Sequence, residues 1–317
     1  MYDENFDYLV STQEFIKNNP FELSSKEKMI LDNLIEEIPF IIETIKEQEE
    51  EINYQEHLLE ANFNNDKKSD KYEYNLHLTG YIDKILYKQI KNELDEVLKT
   101  CLIVLDYKTY EPTIDLKLIP YGLSLQLLVY YHLIKNDEKL KNPTLGGFYI
   151  QPILALNVNE EDELSYTEAK KKQLQLAGYT NVGLPIEGAF LKDINCKKVV
   201  KNLALKKSDD ESKIEFYTNS KIIDNKKIDE LMIEVKKQID KTADNIYLGN
   251  FDINPKSYSS VKKPTKKEIE EGIKITSFTT SQNIGCEFCK FHDICYMTND
   301  NLVEIKGGED NEQNKVE

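Results

Sequence analysis

Gly80-Tyr81-Ile82-Asp83-Lys84-Ile85, then Cys101-Leu102-Ile103-Val104-Leu105-Asp106-Tyr107-Lys108-Thr109, then Gln126-Leu127-Leu128-Val129-Tyr130 decide the fold of this chain. The run Cys101 to Leu105 is short and almost wholly apolar, as a strand buried on both faces is. Asp106 and Lys108 end it. Side chains alternate along a strand, so residues 106 and 108 point one way and Tyr107 the other. The stretch Glu73 to Tyr87 is β-prone. It brings in Asp83 as a second carboxylate when the two strands pair as a hairpin, with Lys88 to Thr100 as their connection. Two carboxylates at one place repel unless a cation lies between them, and Mg2+ or Mn2+ suits a sparse oxygen site completed by waters and phosphate oxygens. A lysine beside them favours ionisation of an attacking water, orients it, and neutralises charge building on a phosphate under attack. These are the parts of a metal-dependent phosphodiester hydrolysis site.

A lone Asp-x-Lys at a strand end is more often a solvated turn or a surface ion pair. The next segment of the chain argues for a site. Tyr121 to Lys135 carries Leu123, Leu125, Leu127, Leu128, Val129 and Leu133, too continuous for a surface helix and suited to one packed on a sheet. Gln126 and Tyr130 stand one turn apart on one face of it. Polar groups on a buried helix need partners, and a metal site with its bound phosphate supplies them. In this order and spacing, Gly80-x-x-Asp83, Asp106-Tyr107-Lys108-Thr109 and Gln126-x-x-x-Tyr130 resemble the motifs of the RecB-family branch of the PD-(D/E)xK nucleases. The resemblance implies an α/β fold: a restriction-endonuclease-like core whose mixed central β-sheet is flanked by helices. It implies Asp83 and Asp106 as metal ligands, the Tyr107 carbonyl as a third, Lys108 as the catalytic lysine, and Gln126 and Tyr130 as a pair lining the site. Members usually also carry an upstream histidine ligand, often in a Gly-x-x-x-His helix. This chain departs there: its first histidine is His57, and no glycine precedes Gly80. Glu60, in Leu58-Leu59-Glu60-Ala61-Asn62-Phe63, resembles a glutamate that often opens the first strand.

Cys286-Glu287-Phe288-Cys289-Lys290-Phe291-His292-Asp293-Ile294-Cys295 gathers three of the five cysteines within ten residues. A disulfide framework is not expected in a chain this long, so the spacing points to a metal. Zinc takes ligands in two pairs, and no second pair exists, although His292 is within reach in sequence. An iron-sulfur cluster takes four thiolates, often three clustered and one distant; reduced, partly buried cysteines are the plain alternative. Cys-x-x-Cys-x5-Cys after nuclease motifs is similar to the C-terminal staple of AddB-type helicase-nuclease subunits and of CRISPR-associated relatives. That likeness implies a [4Fe-4S] cluster on Cys286, Cys289 and Cys295, with the fourth ligand upstream of the nuclease domain and not identified in this chain. Cys101 begins a buried strand, where packing explains it, and Cys196 is the more exposed candidate. Gln173 to Asn181, read as leading into a glycine turn, and Ile246 to Pro255 resemble AddB segments too, so the likeness covers residues 55 to 298. The absent histidine and cysteine both belong on the N-terminal side, which suggests a missing N-terminal portion or a partner subunit that supplies them.

Composition bounds this reading. The 317 residues allow one or two domains, and the net charge of -16 is awkward for a protein that handles phosphates. All 41 basic residues are lysine, which gives point contacts rather than bidentate ones. Weak intrinsic DNA affinity follows, and a partner motor that delivers the strand would compensate. No stretch approaches the roughly 18 apolar residues of a membrane span, and no signal peptide opens the chain, so cytoplasmic residence is expected. Residues 1 to 54 read as a helical segment packing on the core, with a helix kinked at Pro39. Residues 55 to 298 read as the nuclease domain, and 299 to 317 as a disordered acidic tail. Asn64 to Asp70 reads as a hairpin connection, and Leu145 to Leu154 as a strand parallel to the Asp106 strand. A strand falls around Lys213 to Tyr217, a helix at Lys227 to Ile239, and a lysine-rich connection at 256 to 275. The expected function is a Mg2+-dependent DNA nuclease of AddB type, working with a helicase partner in double-strand break repair. The alternatives are a stand-alone RecB-family exonuclease of phage or CRISPR type, and a catalytically inactive iron-sulfur module that docks DNA ends.

Overall fold

A computed structural model of the chain describes residues 24–109, 114–154, 165–185, 188–191, 196–203, 205–206, 215–217, 220–258, 283–284, 289–291, 294–296, 301 and 303–305, with Glu14 and Lys17. The chain divides into two units, one of Met1–Ala61, Ile82–Thr113 and Asn142–Ile223, the other of Asn62–Tyr81, Ile114–Lys141 and Asp224–Glu317. Its strands are β1 (Glu56–Lys68), β2 (Asn75–Lys91), β3 (Val97–Lys108), β4 (Pro143–Pro152), β5 (Ala177–Asn181), β6 (Leu205–Lys206), β7 (Glu215–Phe216), β8 (Ile222–Ile223), β9 (Lys256–Tyr258), β10 (Asn283–Ile284) and β11 (Val303–Ile305). Its longer helices are α1 (Ser25–Glu50), α2 (Gln126–Lys135), α3 (Tyr166–Gln173) and α4 (Asn225–Leu248). Among the described residues a further helical turn spans Cys196–Val199.

The six-stranded sheet has the order β1-β2-β3-β4-β5-β8. β2 and β3 are antiparallel, β3 and β4 parallel, β4 and β5 antiparallel. This mixed α/β arrangement is the restriction-endonuclease-like fold, and β4 returns parallel to the Asp106 strand as the sequence suggested. The β2–β3 hairpin is tighter than the sequence suggested, because the strands extend to Lys91 and from Val97. The Asn92 side-chain oxygen accepts from Leu94 N (3.0 Å) and Glu96 N (2.9 Å), and Asp95 takes a left-handed conformation at φ 62°. An Asx turn of this kind closes a hairpin in five residues. β1 likewise runs through Asn64–Lys68, where a connection was expected, and the turn falls at Ser69–Tyr74. Its polar residues there alternate between exposed and half-buried, as edge strands allow.

In the first unit, one sheet face carries the core residues Leu86, Cys101, Ile103, Leu105, Tyr149 and Leu176. α1 starts on a capping box, Ser24 with Glu27, and keeps Pro39 inside it. Buried Lys84 reaches Glu49 of α1, and Lys170 of α3 reaches Glu37 at 2.5 Å. Gln48 Nε2 donates to Leu174 O at 3.1 Å. Gly178, expected at a turn, lies inside β5 opposite Tyr149. A Cβ there would stand 2.0 Å from Phe148 O, so the backbones approach as closely as only glycine permits.

In the second unit, a 3₁₀ turn at Leu116–Tyr121 ends on Gly122 at φ 80°, and α2 starts only at Gln126. The helix expected from Tyr121 is therefore interrupted by the turn around Pro120. α4 is longer than the expected Lys227 to Ile239. Asp224 caps it by accepting from Lys227 N at 2.7 Å, and it ends at Gly249, φ 69°. Gln238 Nε2 donates to Pro120 O at 2.9 Å, which ties α4 to the 3₁₀ turn, and α2 packs on α4. β11 pairs in parallel with β9, and Ile305 is buried, within the stretch expected to be a disordered tail. The rest of that tail and the lysine-rich connection beyond Tyr258 lie outside the described residues.

Candidate active site

β3 is buried from Cys101 through Asp106, so the sheet carries one carboxylate into an otherwise apolar strand. Asp106 is 2 % exposed. The β2–β3 register pairs Lys84 with Leu105, which sets Asp83 opposite Asp106. Asp83 is fixed by a backbone donor: Tyr107 N donates to Asp83 Oδ2 at 2.7 Å. Lys108 Nζ lies 2.5 Å from Asp106 Oδ2, with its own side chain about a quarter exposed. β4 closes the other side, pairing Ile150 with Asp106 and Gln151 with Tyr107. Ile153 N donates to Lys108 O at 2.9 Å, which anchors the end of β3.

Burial raises the pKa of the Asp106 carboxyl above its usual range; the Lys108 ammonium opposes this, and the nearby Asp83 carboxylate adds to it. A divalent cation fits such a donor set. Two carboxylates this close resist joint ionisation, and a cation between them removes the repulsion that Lys108 only partly offsets. Among the described residues no group of three or more His, Cys, Asp or Glu side chains is placed to hold a metal ion. The set here is two carboxylates, with backbone oxygens at the same strand end. Glu60 is exposed in the middle of β1 at φ 45°, not at its start.

Asp83, Asp106, Tyr107 and Lys108 are thus brought together in the first unit. Gln126 and Tyr130 belong to the second, where Gln126 Nε2 donates to Tyr130 OH at 2.9 Å along α2. Tyr130 and Leu133 of the same helix pack on Gly80: a Cβ there would stand 2.8 Å from Leu133 Cδ1 and 3.6 Å from the Tyr130 ring. The glycine of the first motif is therefore matched to the tyrosine of the third. Sequence reasoning missed Gln151. It is buried, and its Nε2 donates to Leu174 O (2.6 Å) and Pro152 O (3.1 Å), holding the strand end beside Tyr107.

Of the cysteines, Cys289 and Cys295 are exposed and free, and Cys286 and His292 lie outside the described residues. Cys101 is buried in the core, where burial pushes its thiol pKa up, as the packing explanation required. Cys196 starts a helical turn, and its side chain is outside the described residues.

Residues 10–296 match the sequence profile of the PD-(D/E)XK nuclease superfamily. The chain belongs to that superfamily. As a PD-(D/E)XK protein it falls among nucleases that use divalent metals. It is 28 % identical over 224 residues to an ATP-dependent helicase/deoxyribonuclease subunit from Caldanaerobacter subterraneus subsp. tengcongensis, covering 69 % of this chain and 16 % of that protein. The ATP-dependent helicase/deoxyribonuclease subunits of the same kind from Staphylococcus saprophyticus (23 % over 243 residues) and Clostridioides difficile (25 % over 250) are similar across 73 % and 74 % of this chain, and 18 % and 19 % of their own length. This PD-(D/E)XK chain thus spans less than a fifth of the length of these relatives. Among its described residues no helix is long and apolar enough to cross a membrane.

Proposed function

We propose that the chain is a divalent-metal-dependent DNA nuclease domain of the AddB type, working with a helicase subunit in the cytoplasm to process double-strand breaks. The observation that carries the reading is the buried Asp106 carboxylate, set opposite Asp83 and ion-paired to Lys108. Asp83, Asp106 and the Tyr107 carbonyl are the groups that would hold Mg2+ or Mn2+. When bound, the ion would supply Lewis-acid polarisation of a phosphate oxygen and a more acidic water. Lys108 places an ammonium at the same strand end, on a side chain about a quarter exposed, where it can orient the attacking water and take up negative charge from the phosphate. The Tyr107 amide, donating to Asp83 Oδ2, helps to keep that carboxylate aimed at the strand end. Gln126 and Tyr130, bonded to each other, are the polar pair that in the family pattern lines the site.

Cys286, Cys289 and Cys295 are proposed as three thiolate ligands of a [4Fe-4S] cluster, whose fourth ligand comes from a partner subunit or from sequence beyond this chain. The superfamily match running to residue 296, and so past Cys295, supports including this segment in the domain.

The test is degradation of linear DNA with Mg2+ by the wild type and by Lys108→Ala. Loss of cleavage by at least about 100-fold is expected, the size typical of a lost charge-stabilising group. Equal cleavage by both proteins overturns the assignment of Lys108.

A further inference from the structure

A second charged feature lies wholly within the second unit. The Ser69–Tyr74 turn with the end of β1, and the C-terminal half of α4, enclose a groove of about 660 Å³. Lys67, Lys68 and Lys71 line one wall, and Lys236, Lys237 and Lys241 the other, against only three aspartates. Lys237 also pairs with Glu234 at 3.2 Å, and in a chain of net charge -16 the remaining local surplus of two positive charges runs against the composition. The aspartates act as struts. Asp240 takes Lys67 at 3.1 Å and Lys236 at 3.4 Å, and Asp244 takes Lys71 at 3.4 Å and the Tyr74 hydroxyl at 2.7 Å. Lys68 and Lys241 are exposed, and no carboxylate among the described residues pairs with either.

Aromatic rings stand at the same place. The Tyr247 ring lies 5.5 Å from Tyr72 and 5.1 Å from Tyr74, tilted by 33° and 34°, and Tyr72 and Tyr74 both line the groove. Tyr247 remains 50 % exposed, and Phe251, just beyond the Gly249 cap, is 75 % exposed. Free ammonium groups beside open aromatic faces suit a polymer with regular negative charges and unpaired planar bases. A duplex hides its base faces, and an acidic peptide would make no use of the rings.

We propose that this groove binds single-stranded DNA; the identity of the polymer rests on the nuclease reading above. Lysines 68 and 241 contact phosphates, and the tyrosine cluster stacks on a base. The experiment measures fluorescence anisotropy of labelled oligodeoxythymidylate in EDTA, where no cleavage occurs, with the full chain. Lys68→Glu/Lys241→Glu is expected to weaken binding by at least about tenfold and to flatten the slope of log affinity against log salt by about 1 to 1.5. Tyr247→Ala should weaken binding roughly tenfold with the slope unchanged, because stacking is not ionic. Lys28→Glu/Lys99→Glu, the same charge change elsewhere, should bind within about twofold of wild type. Circular dichroism melts establish that each variant is folded, and Lys68→Gln/Lys241→Gln repeats the test without charge reversal. Wild-type affinity in both groove double variants, tighter binding of a blunt duplex, or equal competition by polyglutamate overturns the proposal. The two readings are tested apart: anisotropy in EDTA reads the groove alone, and cleavage with Mg2+ by Lys108→Ala reads the active site, so either can fail while the other stands.

Discussion

Burial and the Asp83 carboxylate both raise the pKa of Asp106, and the Lys108 ammonium only partly opposes them. A folded-state pKa above the unfolded one means that the ionised carboxylate opposes folding at neutral pH. The fold regains that stability as pH falls through the raised value. Asp106→Asn keeps the shape and removes the charge. In EDTA near pH 7 it is expected to melt a few degrees higher than wild type, the size that about 1 kcal/mol makes in a chain of this length. The gap should close as pH is lowered through the raised value, where the wild-type carboxyl becomes protonated too. With Mg2+ the order should reverse, and titration calorimetry should record heat of uptake for wild type and none for the variant. A wild type that melts above Asp106→Asn in EDTA at every pH would remove the electrostatic argument. Asp106 and Lys108 were legible in the sequence because strand alternation points them the same way, and Asp83 joins them through the β2–β3 pairing that the apolar runs suggested. Gln151 was not, since its place beside Tyr107 comes from the parallel β3–β4 register, which depends on residues far apart in the chain.

At the level of elements, the two informative glycines behave differently. Gly80→Ala would push a Cβ against the flexible end of Leu133, which can turn aside at a cost on the order of 1 kcal/mol. Gly178→Ala would drive its Cβ into the carbonyl oxygen of Phe148, part of the sheet itself. Separation of β4 from β5 is the only relief, so a loss of about 3 kcal/mol or more is expected in a chemical denaturation series. A Gly178→Ala midpoint equal to that of wild type would mean that these strands are not paired at Tyr149. The strand, helix, strand order was legible from apolar runs. The boundaries were not: Asn64–Lys68 reads as a turn by composition, yet pairing within the sheet overrides that preference. Asn92 closing its own turn shortened the expected connection in the same way, through a side-chain hydrogen bond that hydropathy does not register.

For the whole molecule, the likeness to only a part of each larger subunit bears on the cysteines. Purified without oxygen, the chain alone is expected to hold well under four iron and four sulfide per protein, and to lose them readily. A full and stable complement would show that the fourth ligand is already present. The cysteine spacing was plain in the sequence, whereas the lysine and tyrosine groove was invisible there, because its walls are separated by about 160 residues and only folding brings them together. The hairpin that holds the acids is the opposite case. Asp83 and the Tyr107 amide are 24 residues apart, joined through a five-residue turn. Hairpins of this kind close in microseconds, whereas parallel strands wait for their crossover. The two carboxylates should therefore meet early in folding, before β4 arrives to cover them. A slip of one residue at Asn92–Glu96 would place them on opposite faces of the sheet before the rest of the chain could correct it.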